Sequence, residues 1–145
     1  MYVKEIIKLN IQRLEQHLDD RGWLVEFVTA SNIGTVAQVK VINFKKPHVK
    51  RGGHYHKLRK EWIACVLGKC EVKLTDIKTG EQKTFFLTKP NERLRVDPYV
   101  YHIFESKGES QCIVVVATDK EFEEEKPDTY NNTNKLNNRH PPLKV

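Results

Sequence analysis

The chain of 145 residues is 39% apolar and 30% charged, a size and balance that suit one soluble domain with one core and leave little room for a second. Its 25 Lys and Arg against 19 Asp and Glu give a net charge of +6 and a pI near 9.2, which admits a phosphate-bearing small molecule as readily as nucleic acid. No run approaches the ~18 consecutive apolar residues of a membrane span, and the opening Met1-Tyr-Val-Lys-Glu lacks a signal-peptide plan. Cys65, Cys70 and Cys112 lie in apolar runs without a Cys-x-x-Cys pair, so the expectation is a cytoplasmic protein with reduced, buried thiols.

At the start, Ile6, Ile7, Leu9, Leu14 and Leu18 fit a helix as well as a strand followed by a loop. From residue 22 to 118 apolar and polar residues alternate and β-branched residues dominate, which predicts many short strands. Cys70, Val72 and Leu74 share one face, Glu71, Lys73 and Thr75 the other, and a turn at Asp76–Glu81 leads into Lys83–Leu87 as a hairpin. Arg93–Val96 alternates in the same way. Cys112–Ala117 is a continuous apolar run, as in a strand buried on both faces. Asp119–Asp128 is acidic and reads as surface, and Tyr130–Val145 is Asn-rich with Pro141-Pro142. The expectation is an all-β antiparallel sandwich or barrel with few helices, one domain over residues 1–130 and a weakly ordered tail over 131–145.

Arg51-Gly-Gly-His-Tyr-His56 carries the chemistry. His54 and His56 are two apart, so on a strand both imidazoles leave one face, and Gly52-Gly53 lets the backbone turn or approach a ligand. Glu61 follows five residues after His56, Gly68 seven later, and Asp97-Pro-Tyr-Val-Tyr-His102 adds a third histidine after a turn. These groups converge only if the sheet closes on itself.

The spacing from His54 to Gly68 resembles the first motif of the cupin superfamily, a jelly-roll β-barrel, over roughly residues 20 to 120. It departs at the upstream glycine, here His48, and the usual second motif Pro-x-Gly-x-x-His survives only as His102. Asp20-Arg-Gly-Trp23, Arg51-Gly-x-His-x-His-Lys57 and Asp119-x-x-Phe-Glu-Glu124 are similar to the nucleotide-sugar branch, which holds dTDP-4-dehydrorhamnose 3,5-epimerases and dTDP-sugar 3,4-ketoisomerases. Glu61, where those epimerases carry a lysine, disfavours straight 3,5-epimerisation. The resemblance therefore implies a homodimeric isomerase that moves the carbonyl of a dTDP-4-keto-6-deoxyhexose between C4 and C3 in surface-glycan synthesis.

On that reading His54 is the base, His56 its partner, and Tyr101, Lys57 or Arg59 stands near the developing oxyanion. Arg51 and Arg95, with Lys57, Arg59 and His102, bind the substrate and its diphosphate, while Lys45 and Lys46 serve solubility. His54, His56, Glu61 and His102 equally form a ligand set for one divalent transition metal, Zn, Mn, Fe or Ni. The ketoisomerase likeness favours no cofactor. A metal-binding epimerase on a nucleotide sugar and a non-catalytic sugar-binding cupin stay open as alternatives. No helix-turn-helix plan, zinc-finger spacing or aromatic-basic repeat points to nucleic acid.

Overall fold

The computed structural model describes residues 10–131. Two five-stranded antiparallel sheets face each other across one core. The first runs β1 (Ile11–Arg13), β9 (Glu92–Val96), β6 (Glu61–Leu67), β11 (Cys112–Thr118), β4 (Gln38–Phe44); the second runs β12 (Tyr130–Asn131), β5 (Lys50–Tyr55), β10 (Val100–Ser106), β7 (Cys70–Asp76), β8 (Gln82–Leu87). A small ribbon of β2 (His17–Asp19) and β3 (Gly22–Leu24) and a single helical turn, α1 (Ala30–Ile33), complete the described residues. The order of strands is that of the expected antiparallel jelly roll, and the chain crosses from one sheet to the other between β5 and β6 and again between β9 and β10.

Period-two patterning builds the core. Ile42, Phe44, Ile63, Val72, Leu74, Leu87, Leu94, Val96, Phe104, Val114 and Val116 form one apolar cluster fed by both sheets, the non-directional burial that drives such a fold. Cys65, Cys70 and Cys112 are free thiols inside it, and interaction with the Cys112 sulfur, reinforced by burial, pushes Cys65 and Cys70 well above the usual thiol range. The hairpin of Cys70–Asp76 with Gln82–Leu87 forms as its alternation predicts. β11 differs from expectation: Val114 and Val116 are buried, but Ile113 and Val115 are only half-buried, because among the described residues no layer covers the outer face of β11 between β4 and β6. Among the apolar residues that N-terminal periodicity left undecided, Leu18 lies in β2 and Leu14 in a loop. Ile6, Ile7 and Leu9, and nearly all of the expected tail, lie outside the described residues.

The two motif departures have one physical cause. His48 and Tyr99 stand where the cupin pattern has glycine, and both take left-handed backbone, φ +66° and +65°, at a cost of about 1 kcal/mol each for an L-residue. Each is held by its own backbone: His48 N–H donates to Ser106 O (2.7 Å) and Tyr99 N–H to His56 O (2.7 Å). The latter bond ties the turn before His102 to the turn after His56. At Gly68 no such substitution is tolerable, since a Cβ would sit 2.6 Å from Gln111 O at φ +82°.

No helix is long and apolar enough to cross a membrane among the described residues.

Candidate functional site

The alternation of β5 turns His54 and His56 inward and Tyr55 outward, and His102 on neighbouring β10 is the Cα partner of His54. The register slips immediately after that pair, between His102 and Ile103. Gly52 permits the close approach there: at φ +93° its missing Cβ would lie 2.8 Å from His102 O. Glu61, the first residue of β6, arrives from the opposite sheet. The imidazole centroids are 4.8 to 5.2 Å apart, and all four groups are buried. The expected convergence is therefore present.

Hydrogen bonds set the tautomers. His56 Nδ1 lies 2.6 Å from Asp128 O, and His102 Nδ1 lies 3.0 Å from Val100 O. A carbonyl only accepts, so both Nδ1 atoms carry hydrogen, and in the neutral form of each ring Nε2 presents its lone pair. Those Nε2 atoms face the carboxylate of Glu61 at 3.3 and 3.5 Å and have no hydrogen-bond partner, like His54 Nδ1. A lone pair pointed at a carboxylate is repulsive, so the geometry calls for a proton or a cation between them.

Burial, reinforced by His102 and His56, pulls His54 down to about 2; burial likewise pulls His102 down to about 4, against the opposing pull of Glu61. Both are neutral at pH 7. Burial alone would raise Glu61, but its contact with His56, followed by the fields of His56, His102 and Lys40, holds the carboxyl below its usual range.

Asp128, in the acidic stretch read as mere surface, clamps the site. Its carboxylate accepts the backbone N–H groups of Lys57, Leu58 and Arg59 at 2.8, 2.9 and 3.0 Å, while its carbonyl orients His56. Arg59 is buried, with Nε 3.8 Å from Glu61 and its guanidinium over Phe122. Arg51 lies over the Phe44 ring with a buried, unpartnered Nε. Lys40, Ile42, Arg51, His54, Glu61 and His102 are among the residues around a cavity of about 10 Å³, room for one water or one ion. A cleft of about 420 Å³ beside it, lined by Asn43, Lys45, Lys46, Val49 and Arg51, is large enough for a small ligand. The lysines expected to act only in solubility thus rim the neighbouring cleft.

Three expected site residues lie elsewhere. Tyr101 is adjacent to inward His102 on a strand, so it leaves the opposite face, where it lines an outer groove with Lys73, Thr75 and Lys83. Arg95 alternates with buried Leu94 and Val96 and points outward, bound to Asp97 (2.9 Å) and Asn10 (2.8 Å). Lys57 follows the end of β5, and its ammonium sits 4.3 Å from the centroid of the Tyr130 ring on the outer surface. The sequence reading missed Lys40 and Asp128.

A model of the polysaccharide biosynthesis C-terminal domain family matches residues 17–130. UDP-2-acetamido-2,6-beta-L-arabino-hexul-4-ose reductase of Pseudomonas aeruginosa is 29% identical over 118 residues, 79% of this chain; the chain spans 30% of that relative's length. In fold, the chain superposes on a variant of the 3,4-ketoisomerase QdtA from Thermoanaerobacterium thermosaccharolyticum in complex with TDP-4-keto-6-deoxyglucose, with TM-score 0.74, 21% identity, and coverage of 86% of this chain and 88% of that one. It also superposes on the capsular polysaccharide assembling protein CapF from Staphylococcus aureus, with TM-score 0.62, 24% identity, and coverage of 81% and 34%.

Proposed function

Since the chain belongs to the polysaccharide biosynthesis C-terminal domain family, we propose that it is a nucleotide-sugar isomerase that moves the carbonyl of a dTDP-4-keto-6-deoxyhexose between C4 and C3. One observation carries the reading: a neutral, uncommitted imidazole, His54, stands beside two tautomer-locked histidines in a cavity whose fixed charges are positive in sum. Lys40 and Arg51 against Glu61 leave a surplus of 2 − 1 = +1 around it, and Arg59 lies against Glu61 with its Nε 3.8 Å away. Such a site suits a ligand that is anionic and becomes more so in the reaction.

In that chemistry His54 takes the C3 proton. The C3–H pair becomes the C3–C4 double bond, and the C4 carbonyl π pair moves to its oxygen, giving an enediolate. Transfer of the O3 proton to O4 and return of the abstracted proton to C4 completes the isomerisation with no redox partner. Only an imidazole that is neutral at working pH accepts that proton, and burial keeps His54 in that form. Arg51, between cavity and cleft, suits the diphosphate with Lys45 and Lys46; the reacting edge of the sugar enters between β4 and β5. The solved QdtA variant holds a ligand of this class, which supports the reading. The reading includes a homodimer, which would cover exposed Leu18, Trp23 and Leu24 on the β2–β3 ribbon; light scattering at micromolar concentration tests it, and a monomeric mass would remove it.

Incubation with dTDP-4-keto-6-deoxyglucose in D₂O is the direct test. Deuterium at C3, lost in His54→Asn, is the expected result. Deuterium at C5 would instead indicate an epimerase. Absence of exchange would leave a sugar-binding protein.

The lone pairs on Glu61 favour a second reading, in which the site holds a divalent transition cation. The orphaned nitrogens of His54, His56 and His102, whose ligand atoms all lie within 4.8 Å of one another, fit such an ion, with Glu61 completing the donor set. Bound there, it would act as a Lewis acid on the sugar carbonyl. Elemental analysis of untagged protein before and after chelation separates the readings: near one equivalent of metal, lost in Glu61→Gln, establishes the second.

A further inference from the structure

We propose that Lys40 is a further catalytic residue, the donor whose ammonium holds the C4 oxygen as it becomes anionic; the proposal rests on the isomerase reading above. Its position follows from strand phase. Along β4, Val39 and Val41 are 53% and 71% exposed, whereas Ile42 and Phe44 are buried in the core. Lys40 belongs to the inward set, opposite buried Val116 of β11, and lines the same cavity as His54 and His102.

A lysine in a barrel wall needs a reason. Lys40 is half-buried beside Ile42 and Val116, and drawing an ammonium even part-way out of water is costly unless something pairs with it, yet among the described residues no hydrogen bond or ion pair reaches its Nζ. Burial accordingly lowers its pKa, and the field of Glu61 only partly opposes this. Glu61 has a nearer cation in Arg59, so neutralising that carboxylate does not account for Lys40. What remains unpaired is a donor, held on a rigid strand beside the base and facing a space with room for one oxygen atom.

The residues otherwise expected beside the oxyanion do not compete for the place. Tyr101 and Lys57 are on the outer surface, and Arg59 is engaged with Glu61 and Thr129. A preorganised donor aimed at the developing charge, within a water-poor cavity, is the arrangement that lowers the barrier to enolisation. The proton balance is unchanged: His54 takes the C3 proton, and Lys40 contributes a hydrogen bond without transferring its own.

The test compares wild type with Lys40→Met and with Lys40→Cys before and after aminoethylation by 2-bromoethylamine, which rebuilds a lysine-like side chain on one polypeptide. Cys65, Cys70 and Cys112 are at most 1% exposed, and identically treated wild type is the control for them. C3 deuterium incorporation into dTDP-4-keto-6-deoxyglucose and calorimetric binding of dTDP are measured for each protein. The expected result is a fall in exchange of about 10²–10³-fold in Lys40→Met, the scale for loss of one oxyanion donor. Binding of dTDP should stay within about threefold of wild type, and aminoethylation should restore exchange in Lys40→Cys. If wild type exchanges and Lys40→Met or unmodified Lys40→Cys does so at a similar rate, the role of Lys40 is refuted while the isomerase reading stands. Loss of dTDP binding together with exchange, or no recovery on aminoethylation, also refutes it. Wild type that exchanges no C3 proton overturns the isomerase reading and Lys40 with it. Should Lys40→Met not fold, the aminoethylation pair decides alone.

Discussion

Acidification from pH 7 to pH 5 should destabilise the metal-free protein through two buried histidines. Their folded pKa values lie at about 2 for His54 and about 4 for His102, below the ordinary 6.5. Below pH 6.5 the unfolded chain therefore binds protons that the folded chain refuses, so stability falls as pH falls and is fully present only above that value. The slope approaches 1.36 kcal/mol per pH unit per group, and integrated from pH 7 to pH 5 each histidine withdraws roughly 2 kcal/mol, roughly 4 in all. That is a large part of the ~5–15 kcal/mol that holds a typical domain. Glu61 and Glu105, held below their usual 4.5, lose their contribution mainly below pH 5, outside this window. Urea unfolding of chelator-treated protein at pH 7, 6 and 5, followed by tryptophan fluorescence, measures the loss directly. His54→Asn should remove about half of the pH dependence. A change below about 1 kcal/mol across that range would refute the claim that these imidazoles fold in the neutral form.

Three further outcomes test the geometry. Asp128→Ala orphans three N–H groups, one of them partly buried, and should cost about 2–3 kcal/mol in chemical denaturation; an unchanged midpoint would mean water replaces the clamp. Gly52→Ala places a Cβ 2.8 Å from His102 O at a left-handed position, so a loss of about 1–3 kcal/mol or more is expected, with impaired C3 exchange. Tyr101→Phe should leave exchange within about twofold of wild type, and a tenfold loss would put the hydroxyl back in the site.

Much of the site was legible because strand geometry has period two. His54 and His56 had to share a face, and Glu61 and His102 could join them only in a closed sheet. The same rule, applied to consecutive residues, already separates Tyr101 from His102 and Arg95 from Leu94, so two of the misplaced residues were readable. Lys40 was not: Val39 and Val41 are apolar on one phase of β4, Ile42 and Phe44 on the other, and only the packed structure shows which phase is inward. Nor was Asp128, since nothing local marks an aspartate that acts on a histidine 72 residues away. The left-handed positions were half visible, for the motif asked for glycine at 48 and 99 and the chain answered with residues that adopt that backbone at a cost.

The bond from His56 to the carbonyl of Asp128 also governs when the site comes into being. Closing a loop of 72 residues carries an entropic penalty of about 4 kcal/mol on the logarithmic scaling of loop length, so this contact is late among those that a folding chain makes. Until it forms, no partner fixes the proton of His56 on Nδ1, and the imidazole is free to exchange tautomers. A nascent chain already carrying Arg51–Lys57 therefore has both histidines of the motif but not their chemistry. The ¹⁵N shifts of the His56 ring, which distinguish its two nitrogens, become a reporter of a late step of folding.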